Sequence, residues 1–322
     1  MKKVIILFLA VVVGGFFFEG NAQKTKKQKQ HNETQKVEVA SVSNYLVNSI
    51  TDSIHKVSAA DSARYYQMVL SVCDMIRQKV VDYDQLNLYM TPKGYSDYCK
   101  LMKSNSVYVI STDVCRFVRL GTDVQCRSVP MTLTTSEGNN YTDNIVFTIN
   151  ENTNKIDGIS FALNERYIRR IMGDTEIDET ARIKLVTFME KYQTAYFQKD
   201  WDFIESIFTN YHPLPNNYEY IKINKNSYLE RLRKTNKECI HLQLSDLRAE
   251  MSFQKDLYVI TFVQDYYSAN DGDHGYVFLL VDMADTSAEP VVRFTVFNTE
   301  TTDGKIPFTM SDYDTLCGKT AK

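Results

Sequence analysis

Apolar and polar residues alternate with two different periods along the chain, and the change of period predicts the order of its elements. Residues 178–199 place apolar side chains at spacings of three and four, which predicts an amphipathic helix. A short helix from Trp201 and a third helix over residues 224–238 are predicted to follow. The period then falls to two, which predicts strands at 241–253, 257–267, 276–283 and 291–298. In this half, helices come first and a meander of antiparallel strands follows.

The first half of the chain repeats this order more loosely. A helix is predicted over residues 62–78, and residues 81–90 and 91–104 resemble the second and third helices of the other half. Strands are predicted at 114–120, 124–135, 141–150 and 156–163. The closing hairpins match best, because Val146-Phe147 and Val277-Phe278 both precede a polar turn. The shared order favours a duplicated domain over hairpins that converged by chance.

The strand at residues 257–267 is apolar on both of its faces. Side chains alternate along a strand, so two series of positions are defined, one containing Phe262 and Gln264 and the other containing Val259, Asp265 and Tyr267. Both series are substantially apolar, which predicts that both faces are covered. We expect the helices on one face, and the sister domain or a second chain on the other.

The second half resembles the nuclear-transport-factor-two-like superfamily, which includes ketosteroid isomerase and the SnoaL-like polyketide cyclases. The resemblance is carried by the helices FMEKYQTAYFQKDWDFIESIF and YLERLRK and by the strands YVITFVQDYY and GYVFLLVD. It covers residues 178–300 well and residues 60–165 weakly, and it is closest to exported tandem-domain members of Gram-negative bacteria. The resemblance implies an α+β fold of two tandem cone-shaped domains, each with N-terminal helices packed in a strongly bent antiparallel sheet.

These patterns divide the chain into six segments. They are a signal peptide at 1–22, a flexible Lys/Gln-rich tether at 23–42, a first, divergent domain at 43–165, a linker at 166–177, a second domain at 178–303 and a C-terminal tail at 304–322. The tether lacks aromatic residues and cannot bury enough apolar surface to order itself. A basic arm that grips an anionic surface is the alternative for that segment.

The N-terminus has the pattern of a secretory signal peptide. Lys2 and Lys3 precede an apolar run and then a short stretch of small and polar residues, so cleavage is predicted between Ala22 and Gln23. The alternative is an uncleaved anchor, but the apolar run is shorter than the ~20 residues that span a bilayer. The mature chain is expected to be exported, in the periplasm or outside a Gram-negative cell, with no transmembrane segment.

Composition narrows the partners that the chain is expected to bind. Lys and Arg number 37 against 40 Asp and Glu, a net charge of −3, so nucleic acid is not an expected partner. Aromatic side chains are favoured anchors at interfaces, and the chain has 21 Tyr and 17 Phe. The expected partners are therefore another protein, a second copy of the chain or a small apolar ligand.

The six cysteines are not spaced as metal ligands, so no metal site is predicted. Export permits disulfides. Cys115 and Cys126 are the pair best placed for one, because they fall on adjoining predicted strands. Buried free thiols are the alternative.

The sequence contains no hydrolase, metalloprotease, P-loop or dinucleotide-binding motif, so no catalytic residue and no cofactor are predicted. In ketosteroid isomerases, a Tyr and a protonated Asp in an apolar pocket stabilise an enolate. Tyr192, Tyr196, Asp265 and Tyr267 are candidates for such a set, although no residue-by-residue match to the isomerase motif can be drawn. Trp201 is a further candidate for the pocket or its rim. The simpler interpretation is that the tyrosines are core packing residues and that the acid ends a strand.

The sequence thus favours an exported, non-catalytic binding or scaffolding protein of undetermined ligand. The alternative is an isomerase-, dehydratase- or cyclase-like enzyme, or a small-molecule carrier, that uses the pocket of the second cone. A filled interior would favour the first function, and a deep apolar pocket with convergent acids would favour the second.

Overall fold

The computed structural model of the chain describes residues 54–103, 107–109, 111–113, 115–134, 140–208, 230, 233, 241–252, 254–267, 272–285, 288–298 and 309–316. The fold is α+β, with helices packed on two antiparallel sheets. The predicted signal peptide with its Ala22–Gln23 cleavage site, the tether and the helix at 224–238 lie outside the described residues or almost entirely so. Those predictions are untested.

Three helices open the first half: α1 (Ala59–Arg77), α2 (Tyr83–Leu86) and α3 (Pro92–Met102). The side chain of Ser58 caps α1 by accepting the Asp61 N–H at 3.1 Å. The side chain of Thr91 caps α3, whose first position is a proline. The predicted helix at 62–78 is confirmed, but only four residues of the predicted stretch 81–90 are helical.

The first half also contains a six-stranded sheet, and its four longer strands confirm the four predicted ones. Its order is β1-β3-β4-β5-β6, and β2 pairs with the C-terminal end of the long strand β4. β1 and β2, three residues each, were not predicted. The strands are β1 (Ile54–Lys56), β2 (Val107–Val109), β3 (Arg116–Leu120), β4 (Asp123–Thr134), β5 (Asn140–Asn150) and β6 (Lys155–Phe161).

The second half contains a helical part and a simple meander. Its helices are α4 (Glu165–Met172), α5 (Glu179–Gln198) and α6 (Trp201–Ile207). Its sheet has the order β10-β9-β8-β7. The strands are β7 (His241–Met251), β8 (Leu257–Tyr267), β9 (Gly272–Asp282) and β10 (Val291–Asn298), and the helix α7 (Met310–Leu316) follows them.

Two of these helices lie in segments to which the sequence assigned no element. α4 occupies much of the predicted linker at 166–177, and α7 lies in the predicted tail at 304–322. The buried side of α4 carries Tyr167, Ile168 and Ile171, which belong to the same hydrophobic cluster as α5. The domain boundaries themselves stay a prediction.

The two halves share two irregular features. In each half a residue beyond the short second helix forms an isolated parallel bridge to the last strand, Met90 to Ile156 and Phe208 to Val292. In each half the first long strand also carries a β-bulge, at Cys126/Val129 in β4 and at Ser245/Arg248 in β7. A bulge of this kind bends its strand and strengthens the local twist. The positions of bridge and bulge thus correspond between the halves.

Each half has its own large hydrophobic cluster, and a smaller third cluster lies on the outer face of the second sheet. In the third cluster Tyr313 of α7 is fully buried, with its ring 6.2 Å from Phe278 and 6.0 Å from Phe294. Val259 of β8 belongs to this outer cluster, whereas Phe262 belongs to the inner one. The prediction that both faces of β8 are covered is confirmed. The outer cover is α7, where the sequence suggested a sister domain or a second chain.

Helix α5 also covers the edge strand of the first sheet. Thr194 Oγ1 accepts the Phe161 N–H at 2.7 Å, and Glu190 Oε1 accepts the Leu163 N–H at 3.0 Å. The ring of Phe197, at the end of α5, stands edge-on to Phe161 with ring centroids 4.7 Å apart. The second half therefore satisfies the C-terminal end of the β6 edge. Further along the same edge, Ile156 is hydrogen-bonded to Tyr89 and Thr91 of the first half.

Candidate functional site

Tyr192, Tyr196 and Trp201, three of the candidates from the sequence, come together inside the second half. Tyr192 and Tyr196 lie one turn apart on α5, with exposed fractions of 2% and 0%. Their hydroxyl oxygens are 3.2 Å apart and their ring centroids 5.0 Å apart. Trp201 opens α6, and its ring stands edge-on to Tyr196 at 6.3 Å.

Further aromatic rings contact this pair. Phe262 of β8 approaches Tyr192 edge-on, with centroids 5.9 Å apart, and Phe188 lies 6.3 Å from Tyr192 on the same helix. Both phenylalanines are fully buried. Edge-to-face pairs add about 0.5–1.5 kcal/mol beyond their buried area. The surroundings of the two phenols are those of a packed core.

Burial controls the protonation of Tyr192. It raises the pKa of this phenol to about 12, because an apolar interior disfavours the phenolate, and the hydrogen bond to Tyr196 only partly offsets this. A neutral phenol whose hydroxyl already meets another phenol has a satisfied hydrogen bond. The pair is thus suited to holding the core together.

The other two candidates lie near the end of β8. The backbone of Asp265 pairs with Gln243 and His274, and Tyr267 makes the last pair of the strand, with Gly272. The register of β8 against β9 is unbroken, so positions 265 and 267 continue the series of Val259. Their side chains lie outside the described residues.

A buried ion pair that the sequence analysis missed joins the two halves beside α5. Arg127 of β4 donates to Glu190 of α5 through both terminal nitrogens, one of them at 3.3 Å from Oε2. Arg127 also donates to Gln125 Oε1 at 2.6 Å. The side chains of Arg127 and Glu190 are 9% and 2% exposed. Their charges face each other across the junction of the first sheet with the second half.

The sequence contains one signal that α5 contacts the first half as well as its own half. The face of this helix that is predicted to be apolar, from residues at spacings of three and four, consists of Leu185, Phe188, Met189, Tyr192, Ala195 and Tyr196. Val186 and Phe197 lie off that face, and both are buried. A helix with apolar residues on two sides is covered on two sides. Glu190 and Thr194 lie on the second covered side. There the Glu190 carboxylate accepts from Arg127 of β4, and the Thr194 hydroxyl accepts from the Phe161 N–H of β6.

Cys115 and Cys126, the predicted disulfide pair, are neighbours and both are free thiols. A hydrogen bond joins their side chains, and Cys126 is fully buried. Their proximity agrees with the reason for choosing them, while the disulfide stays a prediction.

Two general features bear on partners. Among the residues that the structure describes, no helix is long and apolar enough to cross a bilayer. In the same residues no three His, Cys, Asp or Glu side chains are grouped to hold a metal ion.

No protein-family model and no curated protein matches the sequence. Among solved structures, Bd1075 of Bdellovibrio bacteriovorus matches at 12% identity with a TM-score of 0.31, over 46% of this chain and 47% of that one. This chain therefore spans less than half the length of that protein.

Two further structures match weakly. A putative polyketide cyclase of Xanthomonas campestris is 12% identical over 41% of this chain and 96% of its own, with a TM-score of 0.24. A nuclear-transport-factor-two-like protein involved in plasmid conjugation is 9% identical over 67% of this chain and 93% of its own, with a TM-score of 0.24. Scores this low carry no argument, so membership of that superfamily stays a proposal.

Proposed function

We propose that this chain is an exported, non-catalytic binding or scaffolding protein. The observation that carries the proposal is the packing around Tyr192 and Tyr196, whose hydroxyls meet at 3.2 Å while Phe188, Phe262 and Trp201 surround their rings. An enzyme or carrier of this fold would use the same interior to hold its ligand. A core filled by the protein's own rings has no such use.

The second support concerns the acid that an isomerase-like site would need. Asp265 and Tyr267 continue the strand series of Val259, which belongs to the outer cluster, whereas Phe262 beside Tyr192 belongs to the inner series. A proton-transfer site requires the acid and the phenol to converge on one reacting atom. By register, Asp265 and Tyr267 therefore occupy the other series of strand positions from Phe262.

The finer architecture that we propose is a pair of tandem, nuclear-transport-factor-two-like cones. It is supported by the parallel bridges Met90–Ile156 and Phe208–Val292, which occur at the same stage of each half. Bulges in the first long strand of each half support it further, because a bulge bends a sheet. Equivalent irregular features are harder to reach by convergence than regular hairpins are.

A surface suited to a protein partner lies around α2. Val81, Tyr83 and Leu88 expose 55%, 46% and 67% of their surface, although each is a large apolar or aromatic residue. Tyr95 packs against this region: its ring centroid is 4.8 Å from that of Tyr83, and its hydroxyl donates to the Val81 carbonyl. Val81, Tyr83 and Leu88 lie in α2 or within two residues of it along the chain. A contiguous exposed apolar patch is typical of protein–protein contact sites.

Export is the remaining part of the proposal. It is supported by the basic start, the apolar run and the small-residue stretch that ends at Ala22. Mass spectrometry of the chain recovered from the periplasm or medium should find Gln23 at its N-terminus. Retention of Met1 on the recovered chain would contradict export by a cleaved signal.

A cavity test separates a binding protein with a filled core from an enzyme or carrier. Thermal melts with and without benzene are measured for the parent, for Tyr196→Ala and for the matched exposed variant Leu88→Ala. An apolar ligand that binds only the folded state raises Tm, and an engineered apolar cavity takes up benzene. We expect a rise for Tyr196→Ala alone. A rise for the parent would show an open interior and favour the enzyme or carrier.

A further inference from the structure

Three cysteines of the first half meet in one part of its core. Cys73 lies on α1, Cys126 on β4 and Cys115 just before β3. Cys73 and Cys126 are fully buried members of the hydrophobic cluster, and the partly exposed Cys115 packs against it. The side chains of Cys115 and Cys126 are hydrogen-bonded to each other.

The strand register places two of these cysteines diagonally to each other. Phe117 pairs directly with Cys126, and Cys115 lies two residues before Phe117, so all three positions share one face. Diagonal neighbours on one face are about 7–8 Å apart, a span that long side chains bridge and cysteines do not. The contact between Cys115 and Cys126 therefore also needs the irregular backbone at Cys126. The bulge in β4 begins at Cys126 and changes the course of the strand there.

The three thiols have different surroundings, which change their pKa values in different directions and therefore their reactivity as nucleophiles. The hydrogen bond from Cys126 lowers the pKa of Cys115, and the charge of Arg77 lowers it further, while burial and Asp113 act in the opposite direction. Burial raises the pKa of Cys126 and raises that of Cys73 to about 12. Since the thiolate is the nucleophile, Cys115 is the reactive member.

We propose that Cys115 and Cys126 form a reactive thiol pair, in which Cys115 attacks an incoming disulfide and Cys126 resolves the product. This goes beyond the disulfide expected from the sequence, because it assigns an attacking and a resolving residue. It is independent of the proposed binding function. The arrangement has the features of a redox-sensitive site, namely an accessible thiol beside a second cysteine.

The reaction needs a disulfide as its oxidant, for example oxidised glutathione. The Cys115 thiolate forms a bond to one sulfur of glutathione disulfide, and the S–S bond breaks to release one glutathione thiolate. Cys126 then loses its proton and attacks the Cys115 sulfur, which releases the second glutathione. Two protein thiols are oxidised by two electrons in total, and one disulfide is reduced to two thiols.

The product would join the start of β3 to β4 beside the bulge. Cys73 lies near both sulfurs but is deeply buried on α1, so it is excluded from the first attack. The pair is expected to close without Cys73, and a Cys73–Cys115 bridge is the competing product to look for.

The test uses the reduced, purified mature chain with oxidised glutathione, followed by alkylation and peptide mass spectrometry. The parent should yield peptides cross-linked between Cys115 and Cys126 without retained glutathione. Cys126→Ser should stop at a glutathione adduct on Cys115. Cys115→Ser should leave Cys126 and Cys73 reduced, and Cys73→Ser should behave as the parent does.

A second measurement uses only the parent chain, so its result does not depend on whether the cysteine variants fold. Brief alkylation of the folded parent with iodoacetamide should label Cys115 before Cys73, Cys99 or Cys126. The proposal fails if the parent forms no Cys115–Cys126 bridge, if Cys73 takes the place of Cys126, or if Cys73, Cys99 or Cys126 is labelled before Cys115.

Discussion

At the residue scale, the location of Tyr192 decides which of its possible roles it can fill. Tyr192 and Tyr196 were candidates from the sequence because proteins that the second half resembles use a phenol in their pocket. Their spacing on α5 correctly predicted that both lie on the inner face of the helix. Spacing does not say whether ligand or protein occupies the space beyond the hydroxyl. That depends on Phe262, which is more than 60 residues away in the sequence, and on its ring lying 5.9 Å from Tyr192.

The raised pKa of Tyr192 predicts a loss of stability in alkali. Its folded pKa of about 12 exceeds the ordinary tyrosine pKa of 10.0. Below pH ~10 both states hold the proton, so the full stability is present; between about 10 and 12 the unfolded chain ionises first, and the free energy of unfolding falls. A shift of this size is worth roughly 3 kcal/mol. Tyr192→Phe should lose less stability than the parent when urea melts at pH ~9 and ~12 are compared.

The control for this comparison is Tyr83→Phe, because Tyr83 is 46% exposed. It should retain the parent's loss of stability in alkali. Equal losses for the parent and Tyr192→Phe would mean that water reaches the Tyr192 hydroxyl in the folded chain.

At the element scale, regular periods were readable from the sequence and contacts between elements were not. The strands β3 to β10 stand out because period-two patterns are long and are separated by turn residues. Helix α4 was assigned to a linker because Arg166, Arg169 and Arg170 dominate its composition, although Tyr167 and Ile171 are buried. Arg127 and Glu190 were missed for a related reason: charged residues are almost never fully buried unless they pair, and a sequence does not reveal the partner.

The ion pair between β4 and α5 predicts strong non-additivity. Arg127→Met leaves the 2%-exposed Glu190 without its cation and should cost about 3–5 kcal/mol. Adding Glu190→Gln removes the buried charge and keeps an acceptor for the Leu163 N–H, so the double variant should regain much of that loss. Chemical denaturation of both single variants and the double variant measures the coupling.

The exposed pair Arg119–Glu151 supplies the matched control. It is bidentate at 2.7 Å, but its side chains are 34% and 41% exposed. Breaking it with Glu151→Gln should cost no more than ~1 kcal/mol. Additive effects at Arg127 and Glu190 would contradict the account of a buried, mutually dependent pair.

Close contact between α3 and β6 predicts that Gly94 cannot be replaced. A Cβ atom at Gly94 would lie 2.3 Å from the Ile156 carbonyl oxygen, which is backbone and cannot rotate away. Gly94→Ala should therefore destabilise by at least about 1–3 kcal/mol, as overpacking does. Gly158→Ala is the control, because its nearest neighbour would be the flexible end of Lys93 at 3.4 Å. Similar melting temperatures for the two variants would refute the close contact.

At the scale of the whole molecule, the two halves are distinct in their cores and joined through α5. Each half buries its own large cluster, as the repeated helix-then-strand order predicted. Yet Thr194 and Glu190 accept backbone N–H groups at the C-terminal end of β6 and just beyond it, and Phe197 belongs to the first cluster. A sequence repeat gives the number of cores. It gives no information on which side chains of one core serve the other.

The position of α4 predicts where the second half can be separated. A fragment 164–322 retains α4, whereas a fragment 178–322 loses Tyr167, Ile168, Ile171 and Met172 from the second cluster. Burying one such side chain contributes about 1.5–3 kcal/mol, and a whole domain is stable by only about 5–15 kcal/mol. Fragment 164–322 should melt cooperatively and 178–322 should not. Equal cooperative melts would place α4 outside the folding unit.

The central claim is that the protein's own aromatic side chains fill the interior of the second half. A crystal structure of the purified mature chain tests it most directly, through the electron density around Tyr192 and Tyr196. We predict that their hydroxyls are hydrogen-bonded to each other and that the rings of Phe188, Phe262 and Trp201 contact them with no other molecule between. An ordered co-purified molecule in contact with the two phenols, with those rings moved aside, would contradict the claim.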